Sequence, residues 1–214
     1  VGEYVHLKKS CLTNLVNGTL RFDDDIYNEL KSKHIIMDDD STLAVDLLAL
    51  KYRTRQYRVS QFTDLHIFVV TLRCDYTCKY CQVSRRMEGA EAFDMSQDTA
   101  IRSLKLMFMS PSQSLKIEFQ GGEPLLNFDL IKFIVKSAKE MNLTEDRHLQ
   151  FVITSNLTFV NDELIEFCDK NDIYISTSLD GPEDIHNKNR PRPNKDGYIK
   201  TIQGIKKIQN SLGF

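Results

Sequence analysis

From about residue 61 onward, strand-like segments of this sequence alternate with segments of helical spacing. Residues 65–72 read LHIFVVTL, a β-branched and aromatic run that is typical of a buried parallel strand. Similar patterns predict the remaining elements: strands at 115–119, 149–154 and 173–179, and helices at 99–109, 126–141, 162–171 and 198–208. Asn161 stands where it can cap the third of these helices. Four consecutive βα units imply an α/β fold whose parallel sheet has right-handed crossovers.

The first part of the chain has a different pattern. Asp23-Asp24-Asp25 is predicted to cap the first of two helices, and the second helix is predicted over residues 42–52. Residues 53–61 are polar, and we predict that they form a connector. These patterns divide the chain into a small α-rich or mixed appendage, residues 1–60, and a core, residues 61–214.

Composition argues against several classes of partner. A net charge of −2 over 214 residues offers no basic face for a nucleic acid, and no apolar run reaches the length that spans a bilayer. No basic and apolar leader opens the chain, and an odd count of five cysteines argues against a disulfide framework. We therefore expect a reducing, cytoplasmic compartment, with neither nucleic acid nor membrane as a partner.

Unusual motifs follow each of the four predicted strands. CDYTCKYC follows the first strand, QGGEP follows the second, TSN closes the third and SLDGP closes the fourth. Ligands of parallel α/β sheets bind at the carboxyl ends of the strands. Side chains that are distant in sequence are therefore predicted to meet at one rim of the sheet.

The first of these motifs contains three cysteines, Cys74, Cys78 and Cys81, with C-x3-C-x2-C spacing. Thiolates are soft ligands that select zinc, copper or iron–sulfur clusters. Three cysteines on a four-iron cluster leave one iron without a protein ligand, and this open iron can bind a substrate or cofactor. The alternative is a structural zinc site, which needs a fourth ligand such as Cys11, Cys168 or a distant histidine.

This cysteine motif, with Tyr80 before its last cysteine, resembles the signature of the radical S-adenosylmethionine (SAM) superfamily. The resemblance implies an enzyme with a partial (βα) barrel and a [4Fe-4S] cluster on the three cysteines. It implies that the fourth iron binds SAM through its amino and carboxylate groups. One electron from the cluster then cleaves SAM, and the resulting 5′-deoxyadenosyl radical removes a hydrogen atom from the substrate.

Two further motifs are similar to SAM-binding segments of the family. QGGEP resembles the GGEP motif, whose backbone and Glu receive the SAM amino group, and SLDGP followed by Arg190 resembles the peptide-modifying branch. In that branch, which includes the anaerobic sulfatase-maturing enzymes, the Ser contacts the ribose and the Arg holds the SAM carboxylate. By this resemblance the SAM-binding residues are Tyr80, Gln120, Gly121, Gly122, Glu123, Asn156, Ser178 and Arg190. Leu157 stands where relatives more usually have Gly, which puts close backbone approach in doubt at that point. No catalytic acid or base is predicted beyond the cluster and the SAM site.

The string RCDYTCKYCQVSRR most resembles the B-type radical SAM maturases of the His-Xaa-Ser peptide system. This resemblance implies a ribosomally made precursor peptide or small protein as substrate, with His-Xaa-Ser repeats as a candidate feature. It also implies a one-electron donor such as a flavodoxin or ferredoxin. Two alternatives stay open: an RNA-modifying radical SAM enzyme, and a zinc-stabilised binding module without catalysis.

The family's partial barrel has six βα units, and this sequence carries four of them. The sequence begins with Val1, so we expect a truncated form of a longer protein. The alternative is that another chain or segment covers the sheet edge at residues 173–179, because open apolar edges promote association. A peptide-binding role is a candidate for the appendage, although no motif in it indicates one.

Overall fold

The computed structural model describes residues 3–21, 23, 25–37, 42–60 and 62–213. The chain divides into two compact units, Val1–Gln61 and Phe62–Phe214. None of the described helices is long and apolar enough to cross a membrane.

The described part of the first unit is helical, with α1 (Lys9–Val16), α2 (Asp25–Ser32) and α3 (Leu43–Ser60). Helices α2 and α3 confirm the two predicted helices, whereas α1 was not predicted. Asp24, in the predicted capping run, lies outside the described residues. The predicted connector is wrong over residues 53–60, which continue α3. This stretch contains neither Gly nor Pro, and its arginines and glutamine are good helix formers, so nothing in it ends the helix.

The second unit contains one parallel sheet with strands in sequence order: β1 (Leu65–Thr71), β2 (Ser114–Gly121), β3 (His148–Thr154) and β4 (Ile173–Ser176). Its helices are α4 (Gln97–Phe108), α5 (Phe128–Glu145), α6 (Asp162–Asn171), α7 (Glu183–Asn189) and α8 (Gly197–Leu212). The predicted α/β class, with four βα units, is confirmed. The last strand ends three residues earlier than predicted, and the short helix α7 was not predicted.

Side-chain caps begin two of these helices. Ser96 Oγ accepts a hydrogen bond from the backbone N–H of Thr99 at the start of α4 (3.2 Å). The predicted cap Asn161 accepts one from the backbone N–H of Leu164 at the start of α6 (2.8 Å). Each cap satisfies a donor that has no partner within the helix, so these residues set where the helices begin.

The hydrophobic core lies on the face of the sheet that the helices cover. In β2, Leu115, Ile117 and Phe119 are fully buried and belong to one apolar cluster with residues of α4 and α5. The Phe119 ring stacks on Phe151 of β3, with centroids 6.5 Å apart. Successive residues of a strand point to opposite faces, so the residues between Leu115, Ile117 and Phe119 lie on the opposite, uncovered face of the sheet. That face leads up to the carboxyl rim, where the four motifs lie.

Candidate functional site

A cavity of about 380 Å³ lies at the carboxyl ends of the strands. Its walls come from the loops that follow all four strands. The predicted site residues that line it are Cys74, Cys78, Tyr80, Cys81, Gln120, Gly121, Gly122, Asn156, Ser178 and Arg190. A larger cavity of about 640 Å³ lies between β1 and α4, but its lining is mainly apolar and contains none of the four motifs. The chemistry-bearing residues therefore meet at the smaller cavity.

Backbone hydrogen bonds hold the cysteine loop in place. The N–H of Thr77 donates to the carbonyl of Pro191 (2.8 Å), and the N–H of Lys79 donates to the carbonyl of Asn189 (2.9 Å). The buried Tyr76 hydroxyl donates to the carbonyl of Gly197 (3.0 Å). The loop after β1 is thus attached to the segment between α7 and α8, which lies more than 100 residues later in the chain.

A buried carboxylate inside the cysteine motif strengthens this attachment. Asp75 Oδ1 accepts from Asn156 Nδ2 (2.7 Å), and its Oδ2 accepts from Arg192 Nε (2.9 Å). Arg192 in turn donates to Asp196 Oδ1 (2.6 Å). Sequence reasoning missed Asp75 and Arg192. The one available signal was a charged residue between two candidate ligands, and its partner could not be identified from a single sequence.

The three thiols differ in their environment. Cys81 is exposed, whereas Cys74 and Cys78 are partly buried. Burial raises the pKa of Cys74 to about 12 and also raises the pKa of Cys78. A bound metal cation would oppose this shift, because its positive charge stabilises the thiolate.

The donor set fits an iron–sulfur cluster, because three soft sulfur ligands line one cavity. Within the part of the chain that the structure describes, no group of three or more His, Cys, Asp or Glu side chains is arranged to hold one metal ion. Ligands of a multi-iron cluster bind different metal atoms, so they need not converge on one point as zinc ligands must.

Arg190 lines the same cavity as the three thiols. It donates from Nη1 to the carbonyl of Ser178 (3.3 Å), and it lies 3.8 Å from Asp180 Oδ1. Asp180 also accepts a hydrogen bond from the Tyr80 hydroxyl (2.8 Å). The buried Nε of Arg190 has no hydrogen-bond partner among the described residues. The guanidinium lines the cavity and suits a carboxylate ligand, which it can bind with two parallel hydrogen bonds.

Two residues near Arg190, His186 and Asp180, have structural roles. His186 is fully buried, packs edge-to-face on Tyr198, and its Nδ1 accepts a hydrogen bond from the N–H of Asp180 (3.4 Å). Asp180 orients Tyr80 and Arg190 through the contacts described above. Ser178 is exposed and lines the cavity, as predicted, so its hydroxyl is accessible to a ligand.

The two glycines of QGGEP are required by a backbone contact. Gly121 has φ +138°, and a Cβ there would overlap the carbonyl oxygen of Thr71. A Cβ on Gly122 would overlap the carbonyl oxygen of Arg73. Two hydrogen bonds close the same gap, from Gly122 N to Thr71 O (2.9 Å) and from Glu123 N to Arg73 O (2.7 Å). The two glycines therefore allow β2 to approach the backbone at the start of the cysteine loop, and both also line the cavity.

Glu123 lies behind the cavity wall. Its side chain is fully buried and accepts hydrogen bonds from the N–H of Leu125 (3.0 Å), from Ser155 Oγ (2.8 Å) and from the N–H of Asn156 (2.8 Å). Burial raises the pKa of Glu123 to about 7, although these three donors oppose the shift. The predicted direct contact with a ligand ammonium is not supported by this geometry. Instead, the carboxylate holds the TSN segment against the end of β2.

Leu157 adopts a left-handed conformation, with φ +66°, which the Gly more usual in relatives would favour. Its side chain is buried against α8, where a Cβ on Gly204 would come within 2.6 Å of Leu157 Cβ. The backbone therefore turns as it would with Gly, and a glycine on α8 makes room for the Leu side chain. The adjacent Asn156 lines the cavity, but its amide is already bonded to Asp75 and to the N–H of Thr158 (2.9 Å).

Comparison with known proteins agrees with this geometry. The family model of the Radical SAM superfamily matches residues 68–212. The cysteine-type anaerobic sulfatase-maturating enzyme of Clostridium novyi (strain NT) is 31% identical over 141 residues, which cover 65% of this chain and 37% of that protein. The radical SAM cyclopropyl synthase TigE of Paramaledivibacter caminithermalis is 26% identical over 230 aligned residues, covering 98% of this chain and 48% of that protein.

A solved structure described as native anSMEcpe with bound AdoMet superimposes with a TM-score of 0.60 at 21% identity, covering 69% of this chain and 41% of that one. This likeness shows the fold, so the four-stranded sheet is part of a partial (βα) barrel, as predicted. The chain spans less than half the length of the two curated relatives named above. The assignment to the His-Xaa-Ser B-type maturases stays a prediction. The family match over residues 68–212 and the convergence of its motifs at one rim place the chain in the radical SAM superfamily.

Proposed function

We propose that the protein containing this chain cleaves SAM reductively at a [4Fe-4S] cluster and uses the resulting radical to modify a ribosomally made peptide or protein. The observation that carries the proposal is the meeting of three thiols and the Arg190 guanidinium in one cavity. Cys74, Cys78 and Cys81 would bind three irons, and Arg190 would bind the SAM carboxylate. A cluster with SAM on its open iron supplies the electron that releases a 5′-deoxyadenosyl radical.

The residues of the chain itself would bind and position these groups. The Asp75, Asn156 and Arg192 hydrogen bonds fix the cysteine loop, so the thiols keep their positions while the cofactor exchanges. Ser178 and Gln120 offer polar groups to the rest of the SAM molecule. Binding and orienting the reacting groups is the usual contribution of a protein to cofactor chemistry.

Two relatives support a peptide substrate. One is the sulfatase-maturating enzyme described above, whose name indicates that it acts on a protein. The other is a solved structure described as native anSMEcpe with bound AdoMet and Cp18Cys peptide, with a TM-score of 0.58. We propose the finer features on the same basis: a precursor peptide with His-Xaa-Ser repeats as substrate, and a flavodoxin or ferredoxin as the electron donor.

Anaerobic reconstitution of the full-length protein with iron and sulfide tests this function. We expect a brown protein that converts SAM to 5′-deoxyadenosine when reduced. A colourless protein that holds one zinc ion tightly would favour the zinc-stabilised binding module. Mass spectrometry of products then separates substrate classes: a mass change in a His-Xaa-Ser precursor supports the finer proposal, and a change in RNA would favour the RNA-modifying alternative.

We also propose a peptide-binding role for residues 1–60. In α3, Leu47, Leu50 and Tyr52 expose their apolar side chains, which suits contact with a peptide. Leu50→Glu should then weaken peptide binding measured by fluorescence anisotropy and leave 5′-deoxyadenosine formation without peptide unchanged. Equal peptide affinity of the variant and the wild type would remove the appendage from this role.

A further inference from the structure

Strand β2 carries a charged residue on the face opposite the core. Leu115, Ile117 and Phe119 are fully buried on the helix-covered face. Because side chains alternate along a strand, Glu118 and Gln120 point to the uncovered face, where both are partly buried. Gln120 lines the cavity that contains the three thiols. Glu118 therefore lies one step deeper along the strand, directly below that cavity.

Two neutral donors orient the Glu118 carboxylate. Its Oε1 accepts hydrogen bonds from Gln120 Nε2 (2.6 Å) and from Thr154 Oγ1 (2.9 Å). Both donors also line the cavity. The second oxygen, Oε2, has no hydrogen-bond partner among residues 62–213, and no cation of that segment pairs with Glu118. The carboxylate is thus fixed in position while its charge and one oxygen remain available.

The lateral neighbours of Glu118 in the sheet are apolar. Ile67 of β1 and Val152 of β3 are its partners in the sheet register. Ile67 and the next inward-facing residue of β1, Val69, are 52% and 41% exposed. A carboxylate beside exposed aliphatic side chains matches a ligand that has an aliphatic stem and a basic head. Such a ligand would supply the missing counter-charge through a charge-assisted hydrogen bond.

We propose that Glu118 is a specificity-determining residue that binds a basic side chain of the peptide substrate below the SAM site. This inference rests on the proposed function and names a feature of its substrate. Gln120 and Thr154 are positioning residues in this arrangement, because they act through the Glu118 carboxylate. A Lys, Arg or His side chain of the peptide would place its cation at Oε2 and its stem along Ile67 and Val69.

The test uses full-length, reconstituted protein with SAM under anaerobic conditions. The probes are synthetic nonapeptides of Ala, Ser and Gly that differ only in a central Lys, Arg, His, Gln or Glu. Fluorescence anisotropy should show that the wild type prefers a basic centre over Gln on the order of tenfold, as expected for one charge-assisted hydrogen bond. Glu118→Gln should lose this preference, and Glu118→Lys should prefer a central Glu. Lys116→Gln, on the same face of β2, should keep the wild-type preference.

Several results would overturn the inference. They are a wild type without preference for a basic centre, a Glu118→Gln variant that keeps the preference, and a variant whose main defect is weaker SAM binding. Thermal melts of each variant identify any loss of folding, and the reversed preference of Glu118→Lys can appear only in a folded protein. Production of 5′-deoxyadenosine by the wild type without peptide tests the proposed function separately, so the two failures can be distinguished.

Discussion

The two faces of strand β2 have opposite characters. On the helix-covered face, Phe119 is fully buried in an apolar cluster, and on the other face its neighbour Glu118 is partly buried and hydrogen-bonded to side chains that line the cavity. Consecutive residues of one strand thus serve the fold and the site. Substitutions on the helix-covered face should therefore change stability, whereas substitutions on the other face should change ligand binding.

The largest effect on activity is expected at the carboxyl rim of the sheet, where the cysteines lie. Cys78→Ser should reduce 5′-deoxyadenosine formation by the reconstituted full-length protein to background, because a hydroxyl is a poor ligand for the iron of a cluster. The broad iron–sulfur absorbance should fall with it, while far-ultraviolet circular dichroism stays unchanged. Cys11→Ser, in the first unit, is the matched control and should keep both signals. Full activity of Cys78→Ser would show that the three-cysteine site is wrongly assigned.

On the core face, Phe119→Ala should lower the free energy of unfolding by about 3–5 kcal/mol, since it removes a buried ring and leaves a cavity. Chemical denaturation with a fluorescence or circular dichroism readout measures this change. The stacking partner Phe151 would lose the ring contact at 6.5 Å as well. A loss below about 1 kcal/mol would contradict the view that this face carries the stability of the sheet.

Glu123 lies just beyond the end of β2, and its contribution to the free energy of unfolding should depend on pH. Its pKa rises from 4.5 in the unfolded chain to about 7 in the folded one because the carboxyl is buried. Below pH 4.5 both states are protonated, and between 4.5 and about 7 the folded state binds more protons. Stability from this group is therefore full below the unfolded pKa and is lost as the pH rises through the folded pKa.

Urea unfolding of the wild type and Glu123→Gln between pH 4.5 and 8 measures this dependence. Relative to the variant, the wild type should lose a few kcal/mol at most, since one pKa unit corresponds to about 1.4 kcal/mol. Other titrating groups contribute equally to both proteins and cancel in the difference. A difference that stays constant with pH, or grows in favour of the wild type, would show that the three hydrogen bonds outweigh burial.

The smallest effect on stability is expected at Glu118. Glu118→Gln should change the free energy of unfolding by about 1 kcal/mol or less, because the residue is only partly buried and an amide oxygen can still accept the bonds from Gln120 and Thr154. The measurement is the same denaturation used for Phe119→Ala. A loss as large as that of Phe119→Ala would remove the contrast between the two faces.

Much of the core fold could be predicted from the sequence. Strand β1 and the Asn161 cap follow from local patterns, because a buried strand needs a β-branched run and a helix start needs a side-chain acceptor. The end of β4 and the helix α7 were not predicted, because their positions depend on contacts of the SLDGP loop and of the end of α7 with the cysteine loop. The continuation of α3 was not predicted, because polar composition alone does not distinguish a connector from a helix with exposed side chains.

By itself, the sequence determined which chemistry is available here. Three cysteines at short spacing and an alternation of strands and helices are local properties, and parallel strands necessarily bring their carboxyl ends to one rim. Only the tertiary structure decided which polar groups face the cavity. Glu123 is sealed behind the wall and Glu118 remains available below it, because several of their hydrogen-bond partners, Thr154, Ser155 and Asn156, lie 30 or more positions away. Such partners depend on how the loops pack, which no short-range pattern records.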